Sequence, residues 1–344
     1  MLEKLNFKSG LILITSIFFI VFTFYGFQIL FADNVQVDKP DRVLIIPRGA
    51  TFQQVVDSLE MNKITHDRLS FMFLAKLTGY KENVKPGRYL LKTNSNNYTL
   101  LKALIKGRQT PLKLTFNNIR LKEELVEKIG SKFAFGADSL AYMLNNPSIT
   151  SQYGFDTSTV MSIFIPNTYE YYYTISATEF LDKMFKEYQK FWTEERKQKA
   201  NAIGLTQSQV SILASIVEEE TKQNEEKPIV AGVYLNRLRK GQRLQADPTV
   251  KFALKDFTIK RILFGHLENN SPYNTYRKQG LPPGPICLPM ISSLDAVLNV
   301  AKHDYYFFCA DLSKPGYHTF TKTFDEHSKT AQDYRTTLDK RNIH

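Results

Sequence analysis

Between Leu11 and Ala32 the chain carries no charge and is rich in Ile, Leu and Phe. That length matches the ~20 apolar residues a helix needs to cross a hydrocarbon core. One element is thereby dictated before the rest is read: a helix that offers its side chains to lipid and satisfies its own backbone. The run fits a retained transmembrane helix over residues 11–32 better than a cleaved signal peptide. A signal peptide's apolar region is usually ~7–15 residues, and Leu30 with Ala32 makes a poor small-x-small cleavage site. Lys4 and Lys8 precede the run with only Glu3 opposing them. The positive-inside rule then keeps residues 1–10 as a cytoplasmic tail and sends all that follows to the periplasmic side of a cytoplasmic (inner) membrane.

The 344 residues leave room for about two further domains. Lysine and arginine number 45 against 34 aspartates and glutamates, a net charge of +11, so acidic partners are favoured. No basic run with interleaved aromatics marks a nucleic-acid surface, and an exported chain does not meet nucleic acid. An anionic envelope polymer or a lipid surface is the expected partner class. The six histidines show no H-E-x-x-H and no spacing suited to zinc, and neither a P-loop nor G-x-G-x-x-G occurs. No metal or other cofactor is expected. Cys287 and Cys309 sit in Pro-Ile-Cys-Leu-Pro and Phe-Phe-Cys-Ala, which suits buried free thiols at least as well as a disulfide.

Residues 33–42 are polar, charged and carry Pro40, the composition of a short linker. Folding resumes with the β-prone run Val43-Leu-Ile-Ile46, closed by Pro47 and Gly49. Thr51 and Gln54 make a capping box before Val55, Val56 and Leu59, a second helical stretch runs from about Leu69 to Leu77, and Lys85-Pro-Gly-Arg-Tyr-Leu-Leu91 gives a turn and a second strand. This β-α-α-β order, assigned to residues 43–110, resembles a LysM-type glycan-binding module; a spacer or dimerisation element is the plain alternative. Residues 111–344 are assigned to a connector and a second, larger domain. A strand is expected over Leu112–Phe116, a helix over Leu121–Ile129, an irregular aromatic segment over Phe164–Tyr173, and one long charged helix over Ala177–Ala202.

The segment from Thr206 to Thr221 is the richest in chemistry. Thr206 and Gln209 form a capping box that fixes where the helix starts, and hence its phase. Leu213, Ile216, Val217 and Glu220 then share one stripe at i, i+3, i+4, i+7 spacing, while Glu218 and Glu219 rotate to the far side and the flank. A glutamate on a core-facing stripe must find a partner, line a cleft or hold its proton, because desolvation raises its pKa. The last two describe a general acid. A structural ion pair is the alternative.

Downstream lie Tyr234-Leu-Asn-Arg-Leu238, Leu244-Gln-Ala-Asp-Pro-Thr-Val250, Ser271-Pro-Tyr-Asn-Thr-Tyr276 and Gly280-Leu-Pro-Pro-Gly-Pro-Ile286. Their Pro, Gly and Asp-Pro content favours rigid turns, and rigid loops bearing Asn, Thr and Tyr suit oligosaccharide subsites. Asn236, Arg237, Gln245, Asp247, Thr249, Tyr273, Asn274, Thr275 and Tyr276 are the candidates for lining a groove and orienting Glu220. Taken in order with Ala214-Ser-Ile-Val-Glu-Glu-Glu-Thr221, these segments closely resemble the YceG-like family of endolytic murein (peptidoglycan) transglycosylases, over nearly the whole chain. Two departures are visible: Asn167 stands where the family often has Asp, and Leu288-Pro-Met replaces the usual Asn-Pro-Gly.

The resemblance implies an α+β, single-pass membrane enzyme whose catalytic domain cuts the β-1,4 bond between N-acetylmuramic acid and N-acetylglucosamine in nascent glycan strands. It implies Glu220 as the catalytic acid and then base, 1,6-anhydro ends as product, glycan strands as substrate, and wall-synthesis enzymes as possible partners. Most glycosidases pair two carboxylates, and Asp247 is the nearby motif acid that would serve in a hydrolytic muramidase. A non-catalytic glycan-binding scaffold is the alternative of a different class. Arg237 beside Glu220 would lower its pKa, so Arg237 is expected to bind a substrate carboxylate or a structural acid instead.

Overall fold

The computed structural model describes residues 7–37, 42–117 and 119–340. Much of the expected cytoplasmic tail, with Lys4, and part of the expected linker, with Pro40, lie outside the described residues. The chain divides into two compact units. The first contains the chain up to Lys113 together with Lys132–Ala134 and Glu170–Ile175, and the second contains the remainder. The in-line division expected near residue 110 therefore holds only in part, because two later segments return to the first unit. Phe133 packs edge-on against Tyr171 there, the Ala134 amide donates to the Tyr173 carbonyl, and Gln109 donates to Thr174.

In the first unit, helix α1 (Phe7–Phe31) is exposed along its apolar length and is long and apolar enough to cross a membrane, a test that an N-terminal signal sequence also passes. Strand β1 (Asp33–Val35) follows after Ala32 alone. Strand β2 (Val43–Ile46), helices α2 (Phe52–Met61) and α3 (Arg68–Leu77), and strand β3 (Gly87–Leu90) give the β-α-α-β order, with β2 and β3 antiparallel. Strand β4 (Ser95–Asn96) and helix α4 (Asn97–Lys106) complete the unit. The expected capping box of Thr51 and Gln54 starts α2, while Asp67 and Asn96 cap α3 and α4.

Residues 33–35 are a correction to the expected linker. Asn34 and Val35 are buried, and β1 pairs antiparallel with β4. The reason is a polar knot. Asn34 donates to Asn97 (2.7 Å) and to the Asp67 carbonyl (2.8 Å), and Asn97 donates to Ser70 (2.9 Å) and to the Ile29 carbonyl at the end of α1 (3.1 Å). Buried amides need such partners, and composition alone does not reveal a tertiary one.

The second unit opens within strand β5 (Leu112–Thr115), which pairs with β6 (Thr168–Tyr171), so the expected irregular aromatic segment contains a short strand. Helices α5 (Lys122–Gly130), α6 (Gly136–Asn145) and α7 (Pro147–Thr150) lie between. The long helix expected over Ala177–Ala202 is two helices, α8 (Ala177–Phe191) and α9 (Glu194–Ala202). Trp192 leaves the helical region to bury its indole, and Thr193 recaps the chain by accepting from the Arg196 amide. Helices α10 (Gln207–Glu220), α11 (Lys227–Arg239), α12 (Asp247–Leu254), α13 (Phe264–Leu267) and α14 (Ile291–Leu298) follow. Antiparallel strands β7 (Phe307–Ala310) and β8 (His318–Thr321) and helix α15 (Phe324–Lys340) close the unit. Among the described residues every sheet is two-stranded, so the architecture is mixed helix and sheet. Cys287 is buried, Cys309 is half-buried, and both are free thiols.

Candidate active site

Helix α10 is the axis of the second unit. Thr206 and Gln209 form the reciprocal cap, and every residue from Val210 to Glu218 is buried. The helix touches α11, α12 and α14, and so has no solvent face in its middle. The loop Gly280–Ile286 seals one side, where the Ile286 amide donates to Ser215 (3.0 Å). Gly284 is required in that loop, because a Cβ there would meet the Ser158 carbonyl oxygen at 2.2 Å.

A helix buried on all sides turns all three terminal acids toward protein, which corrects the expectation that Glu218 and Glu219 point away. Glu218 is the most buried, accepting from Lys227 (3.1 Å) and Ser293 (2.5 Å), with Lys227 itself 3% exposed. Glu219 accepts two hydrogen bonds from Arg120 (3.2 and 2.9 Å). Both acids are thus committed to structural ion pairs. Glu220 makes no salt bridge among the described residues, and its carboxyl group lies in a cleft of about 310 Å³.

Around Glu220, Tyr234 from α11 donates its phenol hydrogen to the carboxylate at 2.5 Å. Burial raises the Glu220 pKa from 4.5 to about 7; the nearby charge of Asp247 adds to the rise, and the Tyr234 hydrogen bond, Lys251 and Arg237 oppose it. Desolvation of the carboxylate wins. Burial and the neighbouring carboxylate also push the Tyr234 phenol well up, so it remains a donor at neutral pH.

Arg237 shares a face of α11 with Tyr234 at i, i+3 spacing and is 8% exposed. Of its two expected partners, a structural acid does not pair with it among the described residues. Instead it donates to the carbonyls of Tyr306 (2.6 Å) and Leu244 (2.7 Å) and to the side chain of Gln245 (3.3 Å), and it stacks on Phe307. One guanidinium so holds both walls of the cleft, the β7 wall with Phe307 and Phe308 and the wall that leads to Asp247. Asn236 supports the first wall from outside the cleft by donating to the carbonyls of His303 and Tyr305.

The second wall is fixed by threonines. Thr275 accepts from the Ala246 amide (3.0 Å) and shares a hydrogen bond with Thr249 (2.8 Å), which donates to the Ala246 carbonyl (2.6 Å). Gln245 just before it has left-handed backbone (φ 51°), which costs a non-glycine residue about 1–2 kcal/mol and turns its side chain to the cleft. Asp247 is exposed at the rim and accepts from Tyr276 (2.5 Å). Asn274 shapes the turn beneath by donating to the carbonyls of Leu267 and Asn269. Tyr273 packs against Phe252, away from the cleft.

Of the ten residues expected from sequence, five meet in the cleft: Glu220, Arg237, Gln245, Asp247 and Tyr276. Asn236, Thr249, Tyr273, Asn274 and Thr275 lie behind its walls. The cleft also contains Tyr234, Leu244, Phe307, Phe308, Phe324 and His327, none of them singled out from sequence. Tyr234 was within reach, since it opens Tyr-Leu-Asn-Arg-Leu and shares the Arg237 face. The residues of β7 and α15 come from far along the chain and carry no local signal. No cluster of three or more metal-binding side chains occurs among the described residues.

The sequence profile of the YceG-like family matches residues 44–333. A Bacillus subtilis protein named endolytic murein transglycosylase is 26% identical over 90% of this chain and 89% of its own length. A Streptococcus pneumoniae protein of the same name is 23% identical over 90% of this chain, which spans 62% of that longer relative. The crystal structure of a yceG-like protein from Listeria monocytogenes superposes with a TM-score of 0.57 at 27% identity, over 85% of this chain and 99% of that one.

Proposed function

The chain belongs to the YceG-like family, and from that premise we propose that it is a lytic murein transglycosylase, held in the cytoplasmic membrane by α1, that cuts within peptidoglycan glycan strands outside the cytoplasm. The observation that carries this reading is the Glu220 carboxyl group, set in the cleft, raised by burial to a pKa of about 7 and in no salt bridge among the described residues. Such a group holds its proton at neutral pH and gives it up readily.

Glu220 protonates the glycosidic oxygen between N-acetylmuramic acid and N-acetylglucosamine, and the C1–O bond breaks with the electron pair leaving on that oxygen. The muramyl C6 hydroxyl attacks C1, its proton passes to the Glu220 carboxylate, and a 1,6-anhydro ring closes. The acid is regenerated and no water is consumed. Tyr234 steadies the carboxylate between the two transfers, because its hydrogen bond favours the charged form. Phe307 and Phe308 offer apolar faces for sugar rings, and Arg237 keeps that wall in place.

Asp247 in the same cleft favours a second reading, a hydrolytic muramidase in which it activates water. Against this, Asp247 is exposed and already accepts the Tyr276 phenol. The β-α-α-β order of the first unit supports a LysM-like role in holding the glycan near its site of synthesis, beside wall-synthesis enzymes. The test is mass spectrometry of the ends released from purified peptidoglycan by the full chain and by Glu220→Gln. Anhydromuramyl ends from the wild type alone support the proposal. Reducing ends support the hydrolase, and binding without cleavage supports a glycan-binding scaffold.

A further inference from the structure

One feature of the first unit has no part in catalysis. Leu69, Phe73 and Leu77 lie at four-residue spacing along one face of α3 and are 75%, 58% and 72% exposed, while Phe71, Leu74 and Ala75 face the core. Single exposed leucines are ordinary, but a contiguous stripe of large apolar side chains marks a covered surface. Each such side chain left in water forgoes the stabilisation that burial would bring.

Three observations say what covers it. The last turn of α1 is built into this unit: Ile29 and Leu30 pack on its core, and Asn97 ties the Ile29 carbonyl to Ser70 in the first turn of α3. Leu69 is the neighbour of Ser70, so the stripe begins beside the end of the apolar helix, and Ala32 alone separates α1 from β1. Residues 42–113 carry 13 lysines and arginines against 4 aspartates and glutamates, most of the chain's net charge of +11. At the same end of α1, the rings of Phe31 and Tyr98 are 6.3 Å apart, with Lys102 over Tyr98. Aromatic rings and lysines are enriched where a span meets the headgroups.

We propose that the Leu69, Phe73 and Leu77 face of α3 is seated in the headgroup layer of the membrane that α1 spans, with anionic phospholipid opposite the basic side chains of the unit. This rests on the reading of α1 as a retained anchor. An apolar face buried at the acyl boundary and a basic surface facing anionic lipid reinforce each other, and together they hold the first unit flat on the bilayer.

The test uses the full chain in vesicles of phosphatidylcholine and phosphatidylglycerol. Spin labels are placed at Phe18→Cys, Leu69→Cys, Phe73→Cys, Leu77→Cys and the exposed Gln53→Cys in a Cys309→Ser background, Cys287 being buried. Collisions with oxygen and with a water-soluble nickel chelate are compared. The stripe labels are expected to show an oxygen-to-nickel ratio several-fold above Gln53 and below Phe18, and to lose part of it when phosphatidylglycerol is omitted. Stripe labels that match Gln53 while Phe18 reads as deep overturn this inference and leave the anchor standing. A shallow Phe18 removes the anchor and the inference together. Stripe labels shielded from both reagents point to a protein partner and overturn it, and an unchanged profile in phosphatidylcholine alone overturns the role of anionic lipid.

Discussion

Glu220 holds a proton to about pH 7 because the cleft desolvates it more strongly than Tyr234, Lys251 and Arg237 stabilise its anion. Glu220→Gln should therefore cost about 10²–10⁴-fold in kcat with the fold intact, read from anhydromuramyl end formation and circular dichroism. Since the folded pKa is raised above the unfolded value, the stability tied to the neutral acid is fully present below pH 4.5 and is lost as pH rises through about 7. That loss is on the order of 3 kcal/mol. Urea unfolding across that window should show it for the wild type and not for Glu220→Gln. Tyr234→Phe removes a hydrogen bond that lowers the Glu220 pKa, so the alkaline limb of the rate profile should move to higher pH as kcat falls about tenfold. Asp247→Asn removes a charge that raises it, so the limb should move down while the product stays anhydromuramyl. An unmoved limb in both variants would detach the rate profile from Glu220. Helical phase read from sequence selects Glu220, but it sends Glu218 to solvent. The partners that bury Glu218, Lys227 and Ser293, lie outside that helix, and no local pattern encodes them.

At the scale of elements, α10 and α11 work as a pair held by a buried charge. Lys227→Met leaves Glu218 in the core with only the exposed Lys222 at 4.0 Å for a cation, a change that costs up to about 3–5 kcal/mol in comparable pairs. Adding Glu218→Gln should recover part of this, a coupling that a double-mutant cycle in urea measures directly; additive losses would mean that Ser293 and not Lys227 holds Glu218. Caps were the most legible signals here. Thr51 with Gln54 and Thr206 with Gln209 begin helices where they were expected, because a capping box needs only residues three apart. The break between α8 and α9 was not legible, since Ala177–Ala202 reads as continuous amphipathic helix and the stop comes at Trp192, which leaves the helical region and is buried with its ring against Tyr188 and Phe191. The same holds for β1, whose pairing with β4 depends on Asn34 meeting Asn97 more than 60 positions later. Local chemistry predicted starts and turns; burial and tertiary partners decided breaks and short strands.

At the scale of the molecule, the end of α1 is built into the first unit. Composition suggested a free linker at 33–42, and a soluble fragment would then begin at Asp33. The packing of Ile29 and Leu30 and the hydrogen bond from Asn97 to the Ile29 carbonyl argue for an earlier start. A fragment beginning at Asp33 leaves the Asn97 amide short of a buried acceptor, which costs about 1–3 kcal/mol, and strips two apolar side chains from the core. For a unit of this size each kcal/mol is worth roughly 4–8 °C. A fragment beginning at Tyr25 should therefore melt about 10 °C higher in its first unit than one beginning at Asp33, while both release the same anhydromuramyl ends, because Glu220 and the whole cleft lie in the second unit. Equal melting of the two fragments would mean that the last turn of α1 is a passive tether.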